Sequence, residues 1–230
     1  MTRARHVTIF DLDGTLVDSR SEILRAVAEC LVEAGYHVPA EPELLRRFAG
    51  PDLHAALIEY CAPPSHVLAR MISHFRERMA AYLDHIRAFP GIAAAVTRLA
   101  SNEQIVCCAV LTNRIQPFAE SILAQTDLAS LFFAVSGADS SMAACETNFG
   151  ISTKADRGAS LVTHLRERHG PVGVTCVGDR LEDWEVARRV GARFVRVRWG
   201  YGSDDEFIGR DIEFSASLPA ELPSCILDWR

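Results

Sequence analysis

The chain has 230 residues, enough for one ample domain or for a core domain carrying a smaller insertion. Hydrophobic residues make up 49% and charged residues 23%, which excludes global disorder. A formal net charge of -6 argues against a general nucleic-acid binder, which carries a basic face, and leaves room for a locally positive pocket.

The first six residues are basic, and the apolar run after them, 7–10, stops at Asp11. That run is too short for a signal-peptide core, and no uncharged stretch reaches the length of a membrane span. The expectation is a cytoplasmic protein with no membrane partner. Residues 7–10 read as a first buried strand. From 18 to 89 no strand pattern stands out. Helices are expected at 22–34, 43–48, 53–60 and 66–83, punctuated by Pro39, Pro42, Pro51, Pro63 and Pro64. Pro90-Gly91 ends this stretch. Beyond it, strands are expected at 105–111, 131–135, 172–177 and 193–197, alternating with helices at 92–100, 115–124, 156–169 and 183–190. Near-continuous apolar strands suit a sheet covered on both faces. The order implies an α/β fold: a Rossmann-like, doubly wound parallel sheet with an inserted helical unit. The expected division is a core of 1–17 and 90–230, with 18–89 as the insertion. Residues 136–152, rich in Gly, Ser and Ala, read as a loop.

The seven cysteines show no C-x-x-C spacing, so neither a zinc site nor a redox motif is indicated. Free thiols in this number fit a reducing compartment.

Asp11 and Asp13 flank Leu12 directly after the first strand. In an extended chain both carboxylates point to one side. Two close carboxylates repel unless a cation or a shared proton intervenes, and hard oxygen ligands at a strand end suit Mg²⁺. An Asp-rich turn capping a helix is the structural alternative. Thr112 and Asp179 also follow apolar runs. In open α/β sheets, sites form beyond the carboxyl ends of strands. Three polar stations at such ends favour a site over a turn.

The string Asp11-Leu12-Asp13-Gly14-Thr15-Leu16-Val17-Asp18-Ser19 resembles the first motif of the haloacid dehalogenase superfamily. Leu111-Thr112-Asn113 resembles its second motif, Lys154 its third, and Gly178-Asp179-Arg180-Leu181-Glu182-Asp183 its acidic fourth. The order is the family's, and the resemblance spans about 7–202. Ala155 follows Lys154 where many members place Pro. Phe48-Ala49-Gly50-Pro51 resembles the cap loop of the phosphoglycolate-phosphatase-like members, so the insertion resembles their helical cap. The resemblance implies a Mg²⁺-dependent phosphatase. Asp11 is then the nucleophile that forms an aspartyl-phosphate, and Asp13 the general acid and base. Thr112, Asn113 and Lys154 hold phosphate. Asp11, Asp13 (through its carbonyl), Asp179 and Asp183 hold Mg²⁺, and Gly50 and Pro51 face the substrate. Asp13 separates the chain from the hydrolytic dehalogenases, which lack a second Asp here. The implied partner is a small phosphorylated metabolite, with phosphoglycolate the leading named candidate. Oligomeric state stays open. A sugar-phosphate phosphotransferase and a catalytically silent binding module are the alternatives, and the intact acidic set argues against the second. Arg114 reads as a residue opening a helix, Arg180 and Glu182 as solvated groups or as supports behind the site residues rather than catalytic ones, and the segment from Trp199 to Gly202 as packing and turning after the last strand.

Overall fold

The structure, a computed structural model, describes residues 5–138 and 153–227. Strand β1 (His6–Phe10) is buried at every position, as its apolar run requires. A two-residue strand, β2 (Val17–Asp18), follows it. Four helices come next: α1 (Arg20–Glu33), α2 (Glu41–Phe48), α3 (Leu53–Cys61) and α4 (Ser65–Tyr82). The chain returns through β3 (Arg87–Ala88) and continues as α5 (Ile92–Ala100), β4 (Ile105–Ile115), α6 (Gln116–Gln125) and β5 (Ala134–Ala138). It ends as α7 (Lys154–His169), β6 (Gly173–Gly178), α8 (Leu181–Val190), β7 (Arg193–Val197), β8 (Phe214–Ala216) and α9 (Leu222–Leu227).

Six strands form one sheet in the order β5-β4-β1-β6-β7-β8. Every pairing in it is parallel. The chain builds outward from β1 through β4 to β5, then crosses back to lay β6, β7 and β8 on the other side. The switch in strand order therefore falls at β1, between β4 and β6, and a crevice opens there beyond the carboxyl ends. Alternation along β1 sends Val7 and Ile9 into one apolar layer and Phe10 into the other. The first layer packs Leu161, Val162 and Leu165 of α7 under the sheet. The second runs from Phe10 through Leu99 and Ile122 into Leu31, Met71 and Met79 of the helical stretch.

The expected strands at 7–10, 105–111, 172–177 and 193–197 are present. The strand expected at 131–135 lies three residues later. Leu131 belongs to a 3₁₀ turn, and Phe132 meets Phe10 edge to face, with ring centroids 6.0 Å apart. The apolar run thus marks a packing corner. The strand itself, at the sheet edge, is only half-buried and less apolar. No strand was expected between 18 and 89, yet β2 and β3 pair antiparallel where the chain leaves and re-enters the sheet layer. Two residues each are too few to leave a pattern. The expected loop at 136–152 begins inside β5, and its remainder lies outside the described residues. Among the described residues no helix is long and apolar enough to cross a membrane.

Candidate active site

Strand β1 stops at Phe10, and the chain coils just beyond it. Leu16 N and Val17 N both donate to Leu12 O, at 2.9 and 3.0 Å. Asp11 N still donates to Val177 O at 2.9 Å, so Asp11 continues the sheet, and Asp13 sits in the turn that follows. Gly14 makes this turn workable twice over. Its φ is +83°, and a Cβ there would lie 2.6 Å from Asp179 Oδ2.

Asp11 is buried, and its Oδ1 accepts from Lys154 Nζ at 2.6 Å. The same ammonium donates to Asp183 Oδ1 at 2.7 Å. Lys154 opens α7, where Thr153 and Asp156 cap each other reciprocally. Asp11, Asp179 and Asp183 each offer an oxygen within 4.8 Å of the others. Burial, countered by Lys154 and reinforced by Asp183 and Asp179, pushes the Asp11 carboxyl well above its ordinary range. Burial and Asp183 push Asp179 up to about 6. Burial opposes the Lys154 charge, but Asp11 and Asp183 outweigh it and hold the ammonium above its usual pKa. Three buried carboxylates, two of them on one ammonium, are an all-oxygen set with charge to spare, which fits a hard divalent cation such as Mg²⁺.

Asp179 is held by the segment after β7. Tyr201 N and Gly202 N donate to its Oδ2 at 2.6 and 3.1 Å, and Thr15 Oγ1 donates to its Oδ1 at 3.3 Å. Trp199 Nε1 donates to Thr15 O at 3.1 Å, and Ser19 N donates to Tyr201 Oη at 2.7 Å. The stretch expected only to pack and turn is the bracket that orients Asp179.

Asp13 has different partners. Ser19 Oγ donates to its Oδ1 at 2.5 Å, while Arg114 Nε and Nη2 reach its two oxygens at 2.9 and 2.6 Å. Arg114, expected only to open a helix, is a buried partner of Asp13. Its place directly after Thr112-Asn113, at the carboxyl end of β4, was the available signal. Thr112 is buried, and its Oγ1 accepts from Arg114 N at 3.1 Å. Both ends of the Asn113 amide are engaged. Nδ2 donates to Glu182 Oε2 (2.7 Å) and Gly50 O (3.2 Å), and Oδ1 accepts from Arg157 Nη2 (2.8 Å). Arg180, expected to be either solvated or a support behind the site residues, is the second: it is buried. It donates to Ala49 O at 2.6 Å and to Arg46 O at 3.0 Å, and pairs with Glu206 at 3.1 Å. Arg180 and Asn113 thereby tie the loop carrying Gly50 and Pro51 to the sheet.

A cavity of about 520 Å³ opens between the helical stretch and the sheet. Asp11, Asp13, Thr112, Asn113, Lys154, Gly50 and Pro51 all line it. Asp179 and Asp183 are not among its lining residues and lie buried against Asp11.

The model of the haloacid dehalogenase-like hydrolase family matches residues 8–144. The chain is 26% identical to a phosphoglycolate phosphatase of Synechococcus elongatus, over 93% of each chain. It is 30% identical to a 5'-nucleotidase of Pseudomonas aeruginosa, over 86% of this chain and 85% of that one. Among solved structures, a "predicted phosphatase" from Clostridium acetobutylicum matches with a TM-score of 0.82 and 24% identity. It covers 99% of this chain and 100% of that one, a likeness of fold. A parallel α/β sheet with an acidic site at its switch point is the class that fold and site define. The chain belongs to the haloacid dehalogenase-like hydrolase family, and its place there is among the phosphoric monoester hydrolases.

Proposed function

We propose that the chain is a Mg²⁺-dependent phosphatase that works through an aspartyl-phosphate on Asp11. The observation that carries this reading is the separate holding of two carboxylates on one cavity. Asp11 is bound by Lys154, and Asp13 by Ser19 and Arg114. Lys154 and the Thr112 hydroxyl seat the phosphate oxygens. An Asp11 oxygen attacks phosphorus, the ester P–O bond breaks, and the leaving oxygen takes a proton from Asp13. Asp13 then takes a proton from water as the water oxygen attacks phosphorus. The acyl-phosphate P–O bond breaks, which restores the Asp11 carboxylate and frees inorganic phosphate. One ester and one water give one alcohol and one phosphate. Asp11, Asp179, Asp183 and the Asp13 carbonyl would hold Mg²⁺. When bound, the ion offsets the repulsion between the carboxylates and the phosphate.

In this reading 18–89 is the cap over a core of 1–17 and 90–230, and it excludes water from the reacting groups. Gly50 and Pro51 then face the organic part of the substrate, a small phosphorylated metabolite. Asn113 acts chiefly by tying the Gly50 loop to Glu182 and Arg157. The relatives' names carry phosphoglycolate and 5'-nucleotides, and the phosphate end of the site serves either. Six described cysteines are free, which supports residence in the reducing cytoplasm.

Phosphate release from small phosphomonoesters, with Mg²⁺ and with a chelator, tests the proposal. Release should need the metal and fall about a thousandfold or more in Asp11→Asn. An acid quench should trap a base-labile phosphoprotein in the wild type only. An Asp11→Asn enzyme that keeps its rate would overturn the nucleophile assignment.

A further inference from the structure

The cavity has two ends of opposite character. Asp11, Thr112 and Lys154 make its phosphate end. Beyond it, apolar side chains from both sides of the cleft make much of the wall: Phe48, Ile72 and Phe75 from the helical stretch, Ile115 and Phe118 from the core. Phe75 and Phe118 are only partly buried, so each still has surface to offer a ligand. At about 520 Å³ the space falls within the roughly 300–1,000 Å³ of pockets that enclose ring-bearing molecules. A phosphorylated two-carbon acid would fill a small part of it and leave water against apolar walls, which is unfavourable. Nor does one sign of charge dominate the described lining beyond the phosphate end. Asp13, Asp52 and Glu182 stand there beside Arg76, Arg114 and Arg157, and Arg114 is engaged by Asp13.

We infer that the substrate is a phosphomonoester whose organic part carries a flat, largely apolar ring, received between Phe75 and Phe118. The inference rests on the phosphatase reading above and narrows it. Phe75 on α4 and Phe118 on α6 line the cavity from the two sides of the cleft and would supply the stacking surface, while the phosphate stays on Asp11 and Lys154. A nucleobase and a carbocyclic aromatic ring share this chemistry.

The test compares kcat/KM for the full chain with Mg²⁺ on pairs whose leaving oxygen is matched. One pair is adenosine 5'-monophosphate against ribose 5-phosphate. The other is benzyl phosphate against ethyl phosphate, with phosphoglycolate alongside. The ring-bearing member of at least one pair should win by about tenfold or more, and should exceed phosphoglycolate. The first pair reports a nucleobase and the second a carbocycle. Phe75→Ala and Phe118→Ala should each pull that ratio toward one. A ratio does not depend on the fraction of enzyme folded. Ring-bearing substrates no better than ribose 5-phosphate, ethyl phosphate and phosphoglycolate overturn the inference and leave the phosphatase reading standing. The same holds for a preference that survives both substitutions. No release from any compound overturns both.

Discussion

Arg114 reaches Asp13 through two nitrogens, at 2.9 and 2.6 Å, and only 6% of its side chain is exposed. Burial works against its charge, and the Asp13 carboxylate outweighs burial, so the guanidinium pKa is raised. The fork fixes the plane of the Asp13 carboxyl as no single donor would. Ser19 Oγ fixes its direction from the other side. Removing one partner of a buried pair costs about 3–5 kcal/mol where water cannot enter. Asp13 lines the cavity, so water replaces part of the loss here. Arg114→Met should therefore fold, with a lowered melting temperature, and lose about tenfold or more in kcat as Asp13 loses its orientation. KM should change less, because Lys154 and Thr112 still seat the phosphate. Arg114→Lys restores the charge without the fork, and should recover more stability than rate. Steady-state kinetics and melting curves of the two variants check this. A Met variant with an undiminished kcat would remove Arg114 from the reaction.

Helix α7 carries Lys154 on its first turn and is set by two features. Thr153 Oγ1 accepts from Asp156 N at 3.1 Å, and the Asp156 carboxylate accepts from Thr153 N at 3.2 Å, which fixes where the helix begins. Gly158, one turn on, fixes how closely the helix approaches its neighbours. A Cβ there would stand 2.8 Å from Val186 Cγ1 of α8 and 3.1 Å from Leu111 Cδ2 of β4. Gly158→Leu should push α7 outward and carry Lys154 away from Asp11. The overpacking should cost about 1–3 kcal/mol. The displacement should lower activity beyond what the lost stability explains, measured well below the melting temperature. Unchanged kinetics in a destabilised variant would show that Lys154 does not depend on this packing.

The same elements show what the sequence discloses. Strands β1, β4, β6 and β7 are legible because both faces are buried and their residues run apolar. The edge strand β5, half-buried, is misplaced by the apolar corner before it. The start of α7 is expected two residues late, although Thr153 and Asp156 stand at capping-box spacing. Asp11, Thr112 and Asp179 are legible as polar stations at strand ends, and together with Asp13 and Lys154 as motif members. Their partners are not. Arg114 and Asp13 lie 101 residues apart, and Tyr201 and Asp179 lie 22 apart, distances over which local periodicity carries no information.

Across the whole molecule, the sheet carries ionisable groups at both ends, and they pull stability in opposite directions with pH. At the carboxyl ends Asp11 and Asp179 have raised pKa values, Asp179 to about 6. The folded chain then binds more protons there than the unfolded one, so without metal both groups lose stability as pH rises, Asp179 over the range up to about 6. At the other end, His6 is buried against Thr175, Nε2 to Oγ1 at 2.8 Å. Burial and the Arg193 charge lower its pKa from 6.5 to about 4. Between about 4 and 6.5 the unfolded chain binds more protons at His6 than the folded chain does. Its contribution is fully present above 6.5 and is lost as pH falls toward 4. The two slopes overlap in one window, so the wild-type curve alone cannot separate them. Subtraction can. His6→Gln keeps a hydrogen-bonding group near Thr175 and removes the titration, while the carboxylates titrate alike in both proteins. Measured in chelator at several pH values from 4.5 to about 7.5, the wild-type advantage in melting temperature should grow up to about 6.5 and then level. The growth should be roughly 2–4 °C for each kcal/mol the ring contributes. Adding Mg²⁺ should flatten the carboxylate slope in both proteins and leave the difference curve in place. A difference that stays constant across the window would mean that His6 takes up no proton on unfolding, and that the acid sensitivity of the fold lies elsewhere.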